Sequence, residues 1–387
     1  MPSIGVLLGK SPHKDSADDV AEWKGLLTRR EILQRDSYRE QGREPPRLAS
    51  DLILLRYLRQ AARVWTRAGS KEGRLYPDIR FEALDSHALK AQSPARILAA
   101  FDRFDIILLL TTTFMYESRT RRAYADFYAV LQKTRAWVYP SPQYLRFLFD
   151  KSRYMKRLRS AGIPIIPTEF WTGRSRRKHA TADWDSARSE LRSYGKTWRT
   201  SRLVLKGSHS AGKAMMMECD LDRSGAWPDL RDWLDFVFLD LDMPGVLIQP
   251  YLEAFAAGQE IRTYWIREEF AYALVTGQFP EHQPTEIKTV DGRIHPIIKA
   301  LLPLGRRILS LLPDDGARPK ILVRIDFVMP VHPQTPAPHP SSAPHPWLVN
   351  EIEMLEACLF PDWTSYDVIQ ELGEALLDAC LRQGTRT

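Results

Sequence analysis

Long apolar runs are missing from this chain of 387 residues. None approaches the roughly 18 residues that a membrane-spanning helix needs. The first residues, Met1-Pro-Ser-Ile-Gly, carry no basic stretch followed by an apolar signal core. Cysteine is scarce: Cys219, Cys358 and Cys380 are too few and too scattered for a disulfide framework or a zinc site. These absences predict a reducing, cytoplasmic setting with no membrane partner. Zinc fingers, RNP patterns and basic heptads are also missing, so nucleic acid is not an expected partner. The net charge of +7 then points to a small anionic partner such as a nucleotide, a phosphate or a carboxylate. No internal repeat is visible.

Hydrophobic residues make up 44% of the chain, enough for a real core and for two or three compact units. The first 140 residues alternate strands and helices. Residues 4–8, 79–84 and 104–110 read as buried strands, and 51–68 and 117–133 as amphipathic helices. This alternation predicts a parallel α/β sheet covered by helices. A basic helix ending at Gly162 follows Pro140 and Pro142, and residues 174–179 read as an exposed charged loop. Strands are expected at 202–206, 246–251, 260–266, 271–275, 321–328 and 347–353, with a last helix over 365–382. Residues 330–346 hold seven prolines and three histidines. Without neighbouring cysteine or acidic ligands they read as a linker between two strands rather than a metal site.

The chemistry gathers in the last third. Residues two apart on a strand share a face, so Glu351 and Glu353 project together while Asn350 and Ile352 face the other way. Asp326 lies on the preceding strand and joins them if the two strands pair as a hairpin. Three such carboxylates repel and need a cation, and all-oxygen donors select a hard metal. The alternative is a set of surface carboxylates that never meet. Lys206 ends an apolar strand and opens a Gly/Ser segment, Gly207-Ser-His-Ser-Ala-Gly212, whose backbone N–H groups suit a phosphate. This is not a Walker motif, because the lysine precedes the loop; an ordinary strand-to-turn junction is the competing reading. Gln249-Pro-Tyr-Leu-Glu253 turns an apolar strand abruptly polar, as a nucleobase and ribose contact would.

The order of these stations is more specific than any one of them. Asp150-Lys151 comes first, then Lys206 and its loop, then Gln249 to Glu253, then Glu260-Ile-Arg262, then Arg324-Ile-Asp326 and Asn350-Glu-Ile-Glu353. This series resembles the ATP-grasp superfamily, and within it the carboxylate–amine ligases, over residues 140–360. The resemblance implies an ATP-grasp fold with three units: an N-terminal α/β domain (1–140), a lid subdomain (141–250) and a C-terminal subdomain (251–387) carrying the insertion 330–346. It implies that ATP is held by Lys151, Lys206, Gly207, Ser208, Ser210, Gly212, Gln249, Tyr251, Leu252, Glu253 and Glu260. It implies that Arg324 neutralises the transferring phosphoryl group and that Arg262, on the Glu260-Ile-Arg262 strand, lines the catalytic site. Asp326, Glu351 and Glu353 resemble the ligands of two Mg2+ ions, with Mn2+ an alternative, and an acid stands at Glu353 where such ligases often have asparagine.

The activity implied is ADP-forming ligation of a carboxylate to an amine through an acyl phosphate. Amino acids or peptides are the expected substrates, and a homodimer is compatible. Residues 111–117 could hold the acceptor, with helix capping by Thr113 as the alternative. A kinase acting on a hydroxyl of an anionic small molecule is the second reading of the same fold.

Overall fold

The computed structural model describes residues 2–8, 26, 40, 41, 50–71, 79–90, 92–110, 121–172, 184–209, 215–223, 225–276, 284–287, 294–329, 347–354 and 358–384. Several expectations fall outside these residues: the loops 111–117 and 174–179, Ser210 and Gly212, and the insertion 330–346.

The first sheet is four-stranded and parallel, in the order β2-β1-β3-β4. It is built from β1 (Ser3–Leu8), α1 (Ser50–Lys71), β2 (Arg80–Asp85), α2 (Ser86–Lys90), α3 (Pro94–Phe101), β3 (Ile106–Leu109), α4 (Arg121–Lys133) and β4 (Trp137–Tyr139). Ile106 to Leu109 are all buried, as a strand covered on both faces must be. The short β4 had no clear signature, because its three residues sit between a helix and Pro140.

The basic helical stretch is two helices, α5 (Pro142–Phe149) and α6 (Lys151–Ser160). Asp150 separates them, and its carboxylate accepts from Arg153 N at 3.2 Å to cap α6. The second sheet follows, antiparallel, in the order β5-β8-β6-β7. It contains β5 (Glu169–Thr172), α7 (Trp184–Trp198), β6 (Arg202–Gly207), β7 (Met216–Asp220), α8 (Ala226–Asp235) and β8 (Gly245–Pro250). It has a separate core, in which Trp171, Leu191, Leu203, Leu205, Trp227 and Ile248 are buried together.

The third sheet is five-stranded, in the order β11-β10-β9-β12-β13. Its elements are α9 (Glu253–Ala256), β9 (Glu260–Ile266), β10 (Glu269–Thr276), β11 (Thr285–Glu286), α10 (Pro296–Leu311), β12 (Leu322–Val328), β13 (Leu348–Glu353) and α11 (Val368–Gly384). All seven residues of β12 are buried, Arg324 and Asp326 among them. The largest core runs through both the first and third sheets, joining Ile4, Ile53 and Leu58 to Trp265, Ile325 and Leu376. Among the described residues no helix is long and apolar enough to cross a membrane. Cys219 and Cys380 are buried free thiols on β7 and α11; Cys358 lies in a loop, not in a strand or helix.

Candidate active site

The register of the third sheet assembles the site. Arg262 of β9 pairs with Asp326 of β12, which pairs with Glu351 of β13. Arg324 likewise sits opposite Tyr264 on one side and Glu353 on the other. The expected hairpin of β12 and β13 therefore forms, and Asp326, Glu351 and Glu353 share one region.

One part of the expected facing is corrected. Asp326 pairs with Glu351 but Phe327 pairs with Val349, so β13 carries one extra residue, Asn350, in a bulge. The bulge returns Asn350 to the side of Glu351 instead of the opposite face. Its Oδ1 accepts from Lys206 Nζ at 3.2 Å and its Nδ2 donates to Glu260 Oε1 at 2.7 Å.

Cations and carboxylates alternate across this face. Arg324 donates to both oxygens of Asp326 at 2.9 Å, a bidentate pair, and its Nη1 lies 2.8 Å from Glu353. Arg262 lies 3.1 Å from Glu260 and 3.9 Å from Asp326. Lys151, the first residue of α6, is paired with Glu351. Thr276 Oγ1 also donates to Glu260 Oε2 at 3.1 Å.

Burial shifts these groups. It pulls the Lys151 amine down to about 8 and lowers Lys206 as well. It pushes the Asp326 carboxyl up to about 6; Arg324 opposes that rise and Glu260 adds to it. Glu260 is buried too, yet Arg262 and Arg324 hold its carboxyl below the ordinary range.

The lysines reach the row from different elements. Lys151 N donates to Ser208 O at 2.9 Å, which ties the start of α6 to the turn after β6. Gly207 closes β6 opposite Val246. Ser208 is buried, and its N donates to Gly245 O at 2.9 Å.

The segment expected at a nucleobase is arranged differently from a side-chain contact. Gln249 is 2% exposed and its Nε2 donates to Thr168 Oγ1 at 2.9 Å, so its amide points inward. Tyr251 and Leu252 are partly exposed. The Arg202 guanidinium stacks 3.6 Å from the Tyr251 ring centroid and bonds Glu253 at 2.9 Å, and Glu253 is otherwise open to solvent. Asn350, Thr276, Thr168 and Arg202 were not singled out from sequence. Each acts through a cross-strand or long-range neighbour that local spacing does not reveal.

The donors fit a hard divalent cation in kind: they are carboxylate oxygens, and Glu351 and Glu353 keep about a quarter of their side-chain surface open. They are not free, because Lys151 and Arg324 already hold them. Among the described residues no group of three or more His, Cys, Asp or Glu is assembled as a metal site.

No protein-family model matches the chain, and no curated protein matches it in sequence. Solved structures do match. D-cycloserine synthetase DcsG superposes with a TM-score of 0.58 at 13% identity, covering 98% of this chain and 99% of that one. D-alanine–D-alanine ligase from Bacillus anthracis, solved with ATP, gives 0.53 at 13% identity over 100% of both chains. The chain thus shares the ATP-grasp fold with these two proteins.

Proposed function

We propose that the chain is an ATP-dependent carboxylate–amine ligase that makes an amide bond through an acyl phosphate and releases ADP and phosphate. The observation that carries this reading is the row Arg262–Asp326–Glu351 with Arg324–Glu353 beside it, faced by Lys151 and Lys206. Likeness of fold to a synthetase and to a ligase solved with ATP supports it.

Lys151 and Lys206 bind phosphate oxygens in this reading, and Arg262 and Arg324 stabilise charge on the transferring phosphoryl group. Asp326, Glu351 and Glu353 are the residues that would hold magnesium, which when bound neutralises phosphate oxygens. A substrate carboxylate attacks the γ-phosphorus and ADP leaves. An amine then attacks the acyl carbon, loses its proton, and phosphate departs. Neither step needs a side-chain nucleophile. The buried thiols of Cys219 and Cys380 fit that, since burial pushes both up, to about 11 for Cys219. Small acids and amines, amino acids or peptides among them, are the proposed substrates.

The test is an ADP-release screen over amino acids and small acids, singly and in pairs. Release that requires an acid and an amine together, with free phosphate as coproduct, is the expected outcome. A stable phosphoester on a single substrate would overturn ligation in favour of a kinase.

A further inference from the structure

Asn350 is the extra residue of the β13 bulge, 7% exposed, and both ends of its amide are used. Lysine can only donate and an ionised carboxylate can only accept. The orientation with Oδ1 on Lys206 and Nδ2 on Glu260 is therefore the one that satisfies both neighbours. Aspartate at this position would face Glu260 with a like charge, and leucine would bond neither group.

The contact also joins two sheets. Lys206 stands on β6 of the second sheet, whereas Asn350 and Glu260 belong to the third. Among the described residues, Lys151, Arg262 and Arg324 each lie on a carboxylate, while Lys206 is held by a neutral amide. Glu260 and Asp326 attract it from farther off, so it has carboxylates nearby but no direct ion pair.

We propose that Asn350 is a positioning residue: anchored on Glu260, it holds the Lys206 amine over the carboxylate row without a direct ion pair, to take the first phosphate contact of an incoming nucleotide. This rests on the ATP-dependent reading. Asn350 acts through Lys206 and takes no part in bond making. A carboxylate in its place would pair with Lys206 directly and would lose the anchor on Glu260.

A double-mutant cycle tests the role, with ADP binding measured by calorimetry in the presence of Mg2+ and a urea unfolding curve for every variant. Asn350→Ala is expected to weaken ADP binding about tenfold, in line with loss of a hydrogen bond from a charged donor. Lys206→Ala should weaken it at least as much. The double variant should bind no worse than Lys206→Ala alone, because Asn350 has nothing left to position. Independent, additive losses would overturn the proposal, as would wild-type affinity in Asn350→Ala. If Asn350→Ala does not fold, Asn350→Gln replaces it. That variant keeps the amide but shifts it by one methylene; weaker ADP binding is expected, and wild-type binding overturns the role. Unchanged affinity in Lys206→Ala would remove the nucleotide reading itself, and the positioning role with it. Weakened Lys206→Ala beside an unaffected Asn350→Ala removes the positioning role alone.

Discussion

Glu351 and Lys151 hold each other, and that pair bears on how the site receives an anion. A phosphate oxygen reaching Lys151 must compete with the Glu351 carboxylate. Removing the carboxylate charge should release the lysine. Glu351→Gln is therefore expected to bind ADP about tenfold more tightly than the wild-type protein when EDTA keeps divalent metal away, since a 1.4 kcal/mol gain is modest for one charge contact in a half-buried site. The same variant should lose ATP turnover in Mg2+. Calorimetry in EDTA reads the first effect, and an unchanged or weaker affinity there would show that the pair does not compete with phosphate. At this scale the sequence is a good guide to carboxylates and a poor one to amides. Glu351 and Glu353 were legible because alternate strand residues share a face. Asn350 was not, because a bulge is a property of the pairing between β12 and β13. The inward turn of the Gln249 amide was not legible either, because the hydroxyl that binds it lies 81 positions away, on Thr168.

The elements that carry the site are strands whose inner faces are dry, and the helix behind them keeps them so. α10 lays Ile298, Leu301, Leu304 and Ile308 into the core at helical spacing. That spacing was obscured by Pro303, which breaks the pattern inside the helix, while Pro296 sits at the first turn where it is well tolerated. Gly305 lets α10 approach β9: a Cβ there would lie 2.1 Å from Cζ2 of Trp265. The indole is 1% exposed, and its Nε1 donates to Thr263 Oγ1 at 3.1 Å, so it has no room to turn away. Gly305→Ala is accordingly expected to destabilise the protein by about 1–3 kcal/mol, even though alanine favours a helix by up to about 1 kcal/mol. Urea unfolding midpoints measure this, and a raised midpoint would mean that α10 can shift off β9. The strands 260–266, 321–328 and 347–353 were legible because short runs rich in Ile, Val, Trp and Tyr suit a pleated, buried surface. α7 was not, since its stripe of Ala187 and Leu191 is thin beside its charged face.

The molecule as a whole is joined across its first and third sheets, and a buried carboxylate sits at one joint. Tyr139, at the end of β4, donates its hydroxyl to Asp315 Oδ2 at 3.1 Å, and Ser141 N donates to Asp315 O at 2.6 Å. Asp315 is fully buried and also accepts from Ala317 N at 2.9 Å and Ile321 N at 3.2 Å. Burial pushes its carboxyl up to about 6; the three hydrogen bonds and Lys320 nearby only partly oppose that rise. A folded value above the unfolded value of about 3.9 means that the native state binds the proton more tightly. The resulting stabilisation is complete below about pH 4 and is lost as pH rises through about 6. Between about pH 5 and pH 8 the loss amounts to roughly 1.4 kcal/mol, one pH unit of differential protonation. Asp315→Asn keeps an acceptor for the joint but cannot ionise. Urea unfolding of both proteins across that range should show the variant gaining on the wild-type protein as pH rises, with most of the gain between about pH 5 and 7. A difference that stays constant with pH would place the Asp315 carboxyl at its ordinary value and leave the joint insensitive to protonation.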